Sequence, residues 1–158
     1  MSASSRRVVL LSGIPGSGKS RHGKAMLDAD PRTVVVSADD FFLDEAGVYR
    51  FDGSKLGEAH GACMRAFLRA VEAEACVVVV DNTNTTALEL APYYTVAKAL
   101  GYEVEIVTVL CSPEVAAARN THGVPLGGCV AMDARLRARE IPPYWEITSM
   151  EWVGEAPY

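Results

Sequence analysis

The segment Leu11-Ser12-Gly13-Ile14-Pro15-Gly16-Ser17-Gly18-Lys19-Ser20 decides the fold, because it matches the pattern G-x-x-x-x-G-K-[ST] of a phosphate-binding loop. An apolar run, Val8-Val9-Leu10-Leu11, precedes it, and residues 19–27 after it can form a helix. The motif requires this context of a strand before the loop and a helix after it. The sequence therefore predicts a nucleotide triphosphate site between the first strand and the first helix.

The residue types of the loop suit ATP and Mg²⁺. Gly13, Gly16 and Gly18 lack a Cβ atom, so we expect positive φ angles that bring backbone N–H groups within reach of phosphate oxygens. We expect Lys19 to reach the β- and γ-phosphates, and the Ser20 hydroxyl to bind the Mg²⁺ that bridges them. The predicted ATP-binding residues of the loop are Gly13, Pro15, Gly16, Ser17, Gly18, Lys19 and Ser20.

Length and composition limit the class of protein. At 158 residues, of which 49% are hydrophobic and 22% charged, the chain is expected to form one domain over residues 1–158. Its apolar runs are all much shorter than the roughly 20 residues of a membrane span, so we expect no membrane partner and a cytoplasmic location. The net charge of −5 argues against tight, non-specific binding along duplex DNA.

Four cysteines, Cys63, Cys76, Cys111 and Cys129, show no C-x-x-C spacing. They fall mostly on apolar faces, which is typical of reduced residues in a core. A metal or redox role is therefore not expected for them.

Strands and helices alternate along the chain. Strands are predicted over residues 7–12, 33–37, 76–80, 103–110 and 146–153. Helices are predicted over residues 19–27, 54–75, 87–100, 112–119 and 129–140, with Thr86 and Ser112 as caps. A frayed start is expected over residues 2–6, a surface loop over 41–53 and an irregular tail over 154–158.

This alternation predicts an α/β fold with a parallel sheet, helices on both faces and right-handed crossovers. We expect a P-loop NTPase, kinase-like domain with five strands in the order 2-3-1-4-5. The stretch 121–128 contains three glycines and a proline, so it predicts a flexible connection. Together with the following helix it predicts a small lid around residues 121–139 that excludes water from phosphoryl transfer.

Two acidic positions lie where strands of such a sheet end, at the edge where ligands bind. Asp81 follows four valines and is expected to hold Mg²⁺ directly or through water. Asp39 and Asp40 follow the second strand, and neighbours on an extended segment point to opposite sides. We therefore expect only one of the pair to face the acceptor, where it can take the proton of a hydroxyl group.

These residues resemble the small P-loop kinases that include polynucleotide 5′-hydroxyl kinases and the kinase-like domain of NEDD4-binding protein 2. The resemblance spans about residues 7 to 140. It rests on Gly13 to Ser20, Ser37-Ala38-Asp39-Asp40-Phe41-Phe42, Gly47-x-Tyr49-x-Phe51-Asp52, Glu58-Ala59-His60, Asp81-Asn82-Thr83-Asn84, Arg119-Asn120 and His122-Gly123-Val124-Pro125.

The resemblance implies ATP-dependent phosphorylation of a hydroxyl group, with Asp39 as the general base and Arg119 as a lid arginine. The 5′-hydroxyl of a polynucleotide is the acceptor that it favours. Phage polynucleotide kinases place an arginine three residues after the base, and here that position is Phe42. Acceptor recognition is therefore expected to differ from theirs.

Further residues are candidates for binding ATP or the acceptor. We expect Arg119 and Arg135 to contact the ATP phosphates. Arg139 is expected on the same helical face as Arg135, so these two could act together, whereas Arg137 is expected to point elsewhere. Tyr49 and Phe51 could stack a base. The predicted acceptor-binding residues are Asp40, Tyr49, His60, Asn82 and Asn84. His60 and His122 are also compatible with an ordinary structural role.

Two alternatives to a polynucleotide kinase stay open. The acidic net charge and Phe42 favour a kinase of a small molecule or a modified nucleoside. A nucleotide-binding interaction module that has lost catalysis is the other alternative. Intact Lys19, Ser20, Asp39 and Asp81 speak against that module.

Overall fold

A five-stranded parallel sheet forms the centre of the structure, a computed structural model that describes residues 5–154. The strands are β1 (Arg7–Ser12), β2 (Thr33–Val36), β3 (Val77–Asp81), β4 (Glu103–Leu110) and β5 (Ser149–Gly154). Their order is β2-β3-β1-β4-β5, and every adjacent pair is parallel. The predicted α/β fold and strand order are confirmed.

Five helices connect the strands. They are α1 (Lys19–Ala29), α2 (Leu56–Glu72), α3 (Ala87–Ala99), α4 (Pro113–Arg119) and α5 (Leu126–Arg137). The Thr86 side chain accepts from the backbone N–H of Glu89, whose carboxylate accepts in return from the backbone of Thr86. Ser112 Oγ caps α4 by accepting from the backbone N–H of Val115, with Pro113 in the first turn. Both predicted caps are therefore confirmed.

Apolar residues cover both faces of the sheet. On one face, side chains of β1, β3 and β4 pack against α2 and α3, with Phe67, Leu90 and Tyr102 almost fully buried. On the other face, Val9, Leu11 and Val79 pack with Met26 of α1. Burial on both faces explains the continuous apolar runs of β1 and β3.

Several boundaries differ from the sequence-based expectation. Helix α5 begins at Leu126, three residues before the expected start, and its first turn takes up the end of the predicted connection. Residues 38–42 form a 3-10 turn that takes up the start of the loop expected over 41–53, and a second 3-10 turn at Gly53–Lys55 leads into α2. Strand β5 begins only at Ser149. Cys76 is half-buried rather than in the core, whereas the other three cysteines are buried.

The expectations for the first and last residues fall largely on 1–4 and 155–158, which lie outside the described residues. None of the helices in the described part of the chain combines the length and the apolar content needed to cross a bilayer.

Candidate active site

The phosphate-binding loop joins the carboxyl end of β1 to the start of α1. Gly16 and Gly18 have φ angles of 84° and 99°, as predicted for a loop that turns its N–H groups inward. A Cβ atom on Gly16 would lie 2.3 Å from the carbonyl oxygen of Ala116, so only glycine fits there. Gly13 differs from the prediction, because its φ is not positive. Glycine is needed at position 13 for space, since a Cβ would lie 2.6 Å from Ser17 Oγ.

Two buried polar atoms in this region have no hydrogen-bond partner within residues 5–154: Ser17 Oγ and Asp81 Oδ1. Unpartnered buried polar groups are costly in a native structure and commonly mark a ligand or ion site. Gly18, the N-cap of α1, offers no side-chain cap to the first turn of that helix. The loop therefore fits a phosphate anion, and Asp81 with Ser20 fits the oxygen-donor set that Mg²⁺ prefers.

Lys19 and Asp81 form the charged centre of the site. The register between β1 and β3 pairs Leu11 with Asp81, so the carboxylate lies level with the entry to the loop. Lys19 Nζ lies 3.9 Å from Asp81 Oδ1, and both side chains are buried. Ser20, next to Lys19, is exposed. An ammonium, a carboxylate and a hydroxyl are thus grouped at the helix N-terminus.

Arg119, at the end of α4, binds the phosphate loop itself. Its Nε donates to the carbonyl oxygen of Gly16 at 3.2 Å, and its Nη2 donates to the same oxygen at 3.1 Å. A longer contact from Nη2 reaches the carbonyl oxygen of Ser17 at 3.5 Å. In this structure Arg119 therefore positions the loop backbone, and its predicted contact with ATP phosphates stays a prediction.

Asp39 and Asp40 follow β2 on the 3-10 turn, not on an extended segment, so the expectation that they point to opposite sides is wrong in its geometry. Ser37 Oγ accepts from the backbone N–H of Asp39 at 3.2 Å and caps the turn. Asp39 Oδ1 accepts from the Tyr49 hydroxyl at 3.4 Å. Partial burial, then the charges of Asp81 and Asp39, raise the pKa of Asp40 above its usual range.

A cleft of about 430 Å³ brings the phosphate loop and Asp39 together. Its walls come from both sides of the sheet edge: Pro15, Lys19, Ala38, Asp39, Phe42, Tyr49, Phe51, Leu56, His60, Asn82, Thr83, Glu89, His122, Gly123, Val124, Pro125, Met132 and Arg135. Of the predicted acceptor residues, the cleft therefore includes Tyr49, His60 and Asn82. Asn84 lines an adjoining groove of about 330 Å³ between α2 and α3, which shares His60 and Asn82 with the cleft.

The asparagines of the Asp81-Asn82-Thr83-Asn84 segment hold the backbone of the site. Asn82 Oδ1 accepts from the backbone N–H of Ala38 at 2.9 Å and so ties β3 to the turn that carries Asp39. Asn84 is buried and has a positive φ of 46°, and its Nδ2 donates to the carbonyl oxygen of Leu11 at 2.7 Å. Their side chains therefore support the site, while contact with an acceptor stays a prediction.

Aromatic side chains form the outer wall of the cleft. The chain returns from Leu43 to Tyr49 through an antiparallel bridge, and Asp44 Oδ1 orders this return by accepting from the N–H groups of Ala46 and Val48. Burial, followed by the charge of Asp39, raises the pKa of Tyr49 to about 12, so its hydroxyl keeps its proton at neutral pH. The planes of the Tyr49 and Phe51 rings are nearly parallel, with an interplanar angle of 14° and 6.4 Å between the ring centroids.

The late arginines have separate roles. Arg135 lines the cleft, whereas Arg137 forms an ion pair with Asp133 at 2.8 Å on α5. Arg139 lies beyond the end of that helix, so the expectation that it shares a helical face with Arg135 is wrong. Its guanidinium donates to Ser12 Oγ at 2.7 Å, to the Asn84 carbonyl oxygen at 2.8 Å and to Thr108 Oγ1 at 3.0 Å.

Sequence reasoning gave no function to Asn120 and treated His122 as a weak candidate. The Asn120 amide donates to the carbonyl oxygens of Ala116, Ala117 and Val124, and its Oδ1 accepts from the Val124 N–H at 2.9 Å. This closed turn directs His122 into the cleft, 3.6 Å from Asp39. The Asn120-x-His122-Gly sequence was the available signal, but only the fold reveals its partner.

Fold and site together define a P-loop kinase-like protein. Residues 8–122 match the model of a family described as AAA domain, and the chain belongs to this family. The resemblance of the sequence to the small P-loop kinases agrees with this fold.

Three known proteins illustrate the similarity. Human NEDD4-binding protein 2 is 36% identical over 121 residues, which are 74% of this chain and 7% of that protein. A chain of the Pnkp1/Rnl/Hen1 RNA repair complex superposes with a TM-score of 0.70 at 17% identity, over 87% of this chain and 46% of the other. A gluconokinase from Sinorhizobium meliloti 1021 superposes with a TM-score of 0.57 at 18% identity, over 96% and 84%. The chain thus spans less than half of the first two proteins, and the two structural matches establish the fold alone.

Proposed function

We propose that this chain is an ATP-dependent kinase that transfers the γ-phosphate to a hydroxyl group, with the 5′-hydroxyl of a polynucleotide as the favoured acceptor. The observation that carries the proposal is the shared cleft, in which Lys19 of the phosphate loop and the Asp39 carboxylate line one space of about 430 Å³. A phosphate donor bound at Lys19 and a hydroxyl bound at Asp39 would therefore meet within it.

ATP would be held by the predicted loop residues, with Lys19 supplying positive charge to the β- and γ-phosphates. Ser20 Oγ and the unpartnered Asp81 Oδ1 would hold Mg²⁺, which neutralises phosphate charge when bound. Arg119 would keep Gly16 in place through its two short hydrogen bonds. Arg135 is the lid residue proposed to reach the phosphates, since it already lines the cleft. The lid itself, residues 121–139, is part of the proposal.

Asp39 is proposed as the general base. The acceptor oxygen forms a bond to the γ-phosphorus, its proton passes to the Asp39 carboxylate, and the bond from the γ-phosphorus to the bridging oxygen breaks to release ADP. An Asp39 side chain that is 44% exposed is open to an entering acceptor. Lys19 and Arg135 line the same cleft as Asp39 and would balance the developing charge.

The polynucleotide acceptor is supported by the aromatic wall and by the sequence resemblance to polynucleotide 5′-hydroxyl kinases. Tyr49 and the 53%-exposed Phe51 offer ring surface on which a terminal base could stack. The similarity to a chain of an RNA repair complex agrees with such an acceptor at the level of fold.

A second acceptor class, a small hydroxyl compound or modified nucleoside, is favoured by one observation. Phe42, three residues after Asp39, is 5% exposed and packs in the apolar core. That position offers no charge to an acceptor phosphate. The third alternative, an inactive binding module, is less well supported, because it leaves Asp39, which lines the cleft together with Lys19, without a role.

ADP release measured with ATP, Mg²⁺ and a panel of acceptors tests the proposal. The panel would contain 5′-hydroxyl oligonucleotides, matched 5′-phosphorylated oligonucleotides, nucleosides and sugars. We expect turnover to be stimulated by the 5′-hydroxyl oligonucleotide but not by its 5′-phosphorylated control. Stimulation by nucleosides or sugars alone would shift the proposal to the second class, and no stimulation by any acceptor would contradict the kinase.

A further inference from the structure

Three side chains from three separate segments meet around Asp39. The Tyr49 hydroxyl donates to Asp39 Oδ1 at 3.4 Å, and His122 Nε2 lies 3.6 Å from Asp39 Oδ2. The Tyr49 and His122 rings touch edge to face, with 4.5 Å between centroids. Each oxygen of the carboxylate therefore has a side-chain partner on a different side.

The His122 ring is held in place by the segment that carries it. The Asn120 amide clasps the turn through Ala116, Ala117 and Val124, and Gly123 takes a positive φ of 72°. The ring is 27% exposed. A clasped backbone and an edge-to-face contact with Tyr49 leave the imidazole little freedom to turn away from Asp39.

The two imidazole nitrogens have different surroundings. Nε2 faces a carboxylate oxygen, which can only accept a hydrogen bond when ionised, so Nε2 must carry a proton for the contact to be favourable. Nδ1 is buried and has no hydrogen-bond partner within residues 5–154. The ring orientation is therefore determined by Asp39 and Tyr49 and not by a partner on the opposite nitrogen.

We propose that His122 is a positioning residue that donates from Nε2 to Asp39 Oδ2 and, with Tyr49 on Oδ1, fixes the carboxylate for the acceptor hydroxyl. An ionised carboxylate has about four lone-pair directions, so two remain for the acceptor after both partners have bound. Because His122 belongs to the segment proposed as the lid, the contact also links that segment to the base. The inference rests on the proposed kinase function.

Two substitutions at position 122 separate hydrogen bonding from packing. His122→Gln places an amide N–H near the position of Nε2 and keeps a donor toward Asp39. His122→Phe keeps an aromatic ring against Tyr49 and removes the donor. We expect His122→Phe to lower acceptor-dependent kcat by about tenfold and His122→Gln by less than about threefold, with the KM for ATP unchanged in both.

A double-mutant cycle with Asp39→Asn distinguishes a positioning role of His122 from a purely structural one. It compares the loss of kcat in the double variant with the losses in the two single variants. If His122 acts through Asp39, adding His122→Phe to Asp39→Asn should cause little further loss of kcat. A role in stability alone would multiply the two losses. Thermal unfolding of each variant identifies any that fails to fold, and Tyr49→Phe, which removes the donor to Oδ1, then replaces it in the cycle.

The outcomes distinguish this inference from the proposed function. Full kcat in His122→Phe, equal losses in His122→Phe and His122→Gln, or multiplied losses in the double variant would each overturn the positioning role while Asp39 remains the base. Wild-type protein without acceptor-stimulated ADP release would overturn the kinase proposal and the inference with it.

Discussion

The Nζ atom of Lys19 lies 3.9 Å from Oδ1 of Asp81, with the two side chains only 7% and 10% exposed. This distance is too long for a strong hydrogen bond, and Oδ1 has no other hydrogen-bond partner in the described chain. Each group therefore balances the charge of the other while keeping its capacity for a ligand. Removing one of them would leave an uncompensated buried charge.

Lys19→Met tests the phosphate-binding role of Lys19. We expect kcat to fall by about 10²–10³-fold or more, because positive charge on the transferring phosphoryl group is lost. Lys19 is buried beside Asp81, so its replacement also leaves an unpaired carboxylate inside the protein. We expect the free energy of unfolding to fall by about 3 kcal/mol, measured by denaturant titration.

The control for Lys19→Met is the double variant Lys19→Met with Asp81→Asn. It removes both charges, so stability should return toward wild type while activity stays lost. ATP consumption close to wild type in either variant would exclude a kinase that depends on this loop.

Asp81→Asn tests the proposed metal site. The amide keeps the size of the side chain but removes the charge, so we expect the Mg²⁺ concentration for half-maximal turnover to rise roughly tenfold or more. Titration of ADP release with Mg²⁺ at saturating ATP measures it. An unchanged titration would place Asp81 outside the metal shell and leave it as a partner of Lys19.

Local sequence signals predicted the framework accurately. The bounds of β1 and β4 agree with the expected residues, because the phosphate loop follows β1 directly and Gly101 separates α3 from β4. Thr86 and Ser112 cap their helices as expected, since a cap depends on residues three positions away. The proximity of Lys19 and Asp81 could also be predicted, because the expected strand order places β3, which ends in Asp81, beside β1, which leads into the phosphate loop.

Contacts between distant segments were not predictable in this way. Arg139 continues the helical pattern of α5, yet it lies past the helix end and binds Ser12, Asn84 and Thr108. The approach of His122 to Asp39 likewise joins residues that are far apart in sequence. Each depends on tertiary packing, which overrides local periodicity and leaves no pattern in a single sequence.

Arg135 and Arg137 provide a matched pair for testing the lid. Both lie in the last turn of α5, but Arg135 lines the cleft and Arg137 is ion-paired with Asp133 on the surface. We expect Arg135→Ala to raise the KM for ATP or lower kcat by about tenfold, because a phosphate contact is lost. Arg137→Ala should leave both constants near wild type. Equal effects of the two changes would contradict the lid proposal.

Asp40→Asn should stabilise the protein at neutral pH. Partial burial and the neighbouring charges of Asp81 and Asp39 raise the pKa of Asp40 above 3.8, so ionisation of this carboxyl opposes folding. At a pH above the pKa of Asp40 in the folded protein, the asparagine variant avoids this loss of stability. At a pH below the pKa of Asp40 in the unfolded chain, the carboxyl is protonated in both states and the variant gains no stability. We expect Tm to rise by about 1–2 °C at pH 7 without Mg²⁺. The difference should vanish near pH 3, and a gain that persists there would have another origin.

Asp39→Asn decides which carboxylate is the base. Asp39 lines the cleft together with Lys19, and its two carboxylate oxygens face Tyr49 and His122. Within residues 5–154, the Asp40 carboxylate neither lines this cleft nor has a side-chain partner of this kind. Asparagine at position 39 keeps the turn and its cap, because that bond comes from the backbone N–H to Ser37 Oγ. We expect kcat to fall by ~10²-fold or more, the size typical of losing a general base, with the ATP dissociation constant nearly unchanged. Single-turnover kinetics with saturating acceptor measure the fall in turnover, and nucleotide titration measures the ATP dissociation constant.

Asp40→Asn is the matched control and should retain turnover within about threefold of wild type. Loss of turnover in Asp40→Asn with an active Asp39→Asn would transfer the role of base to Asp40.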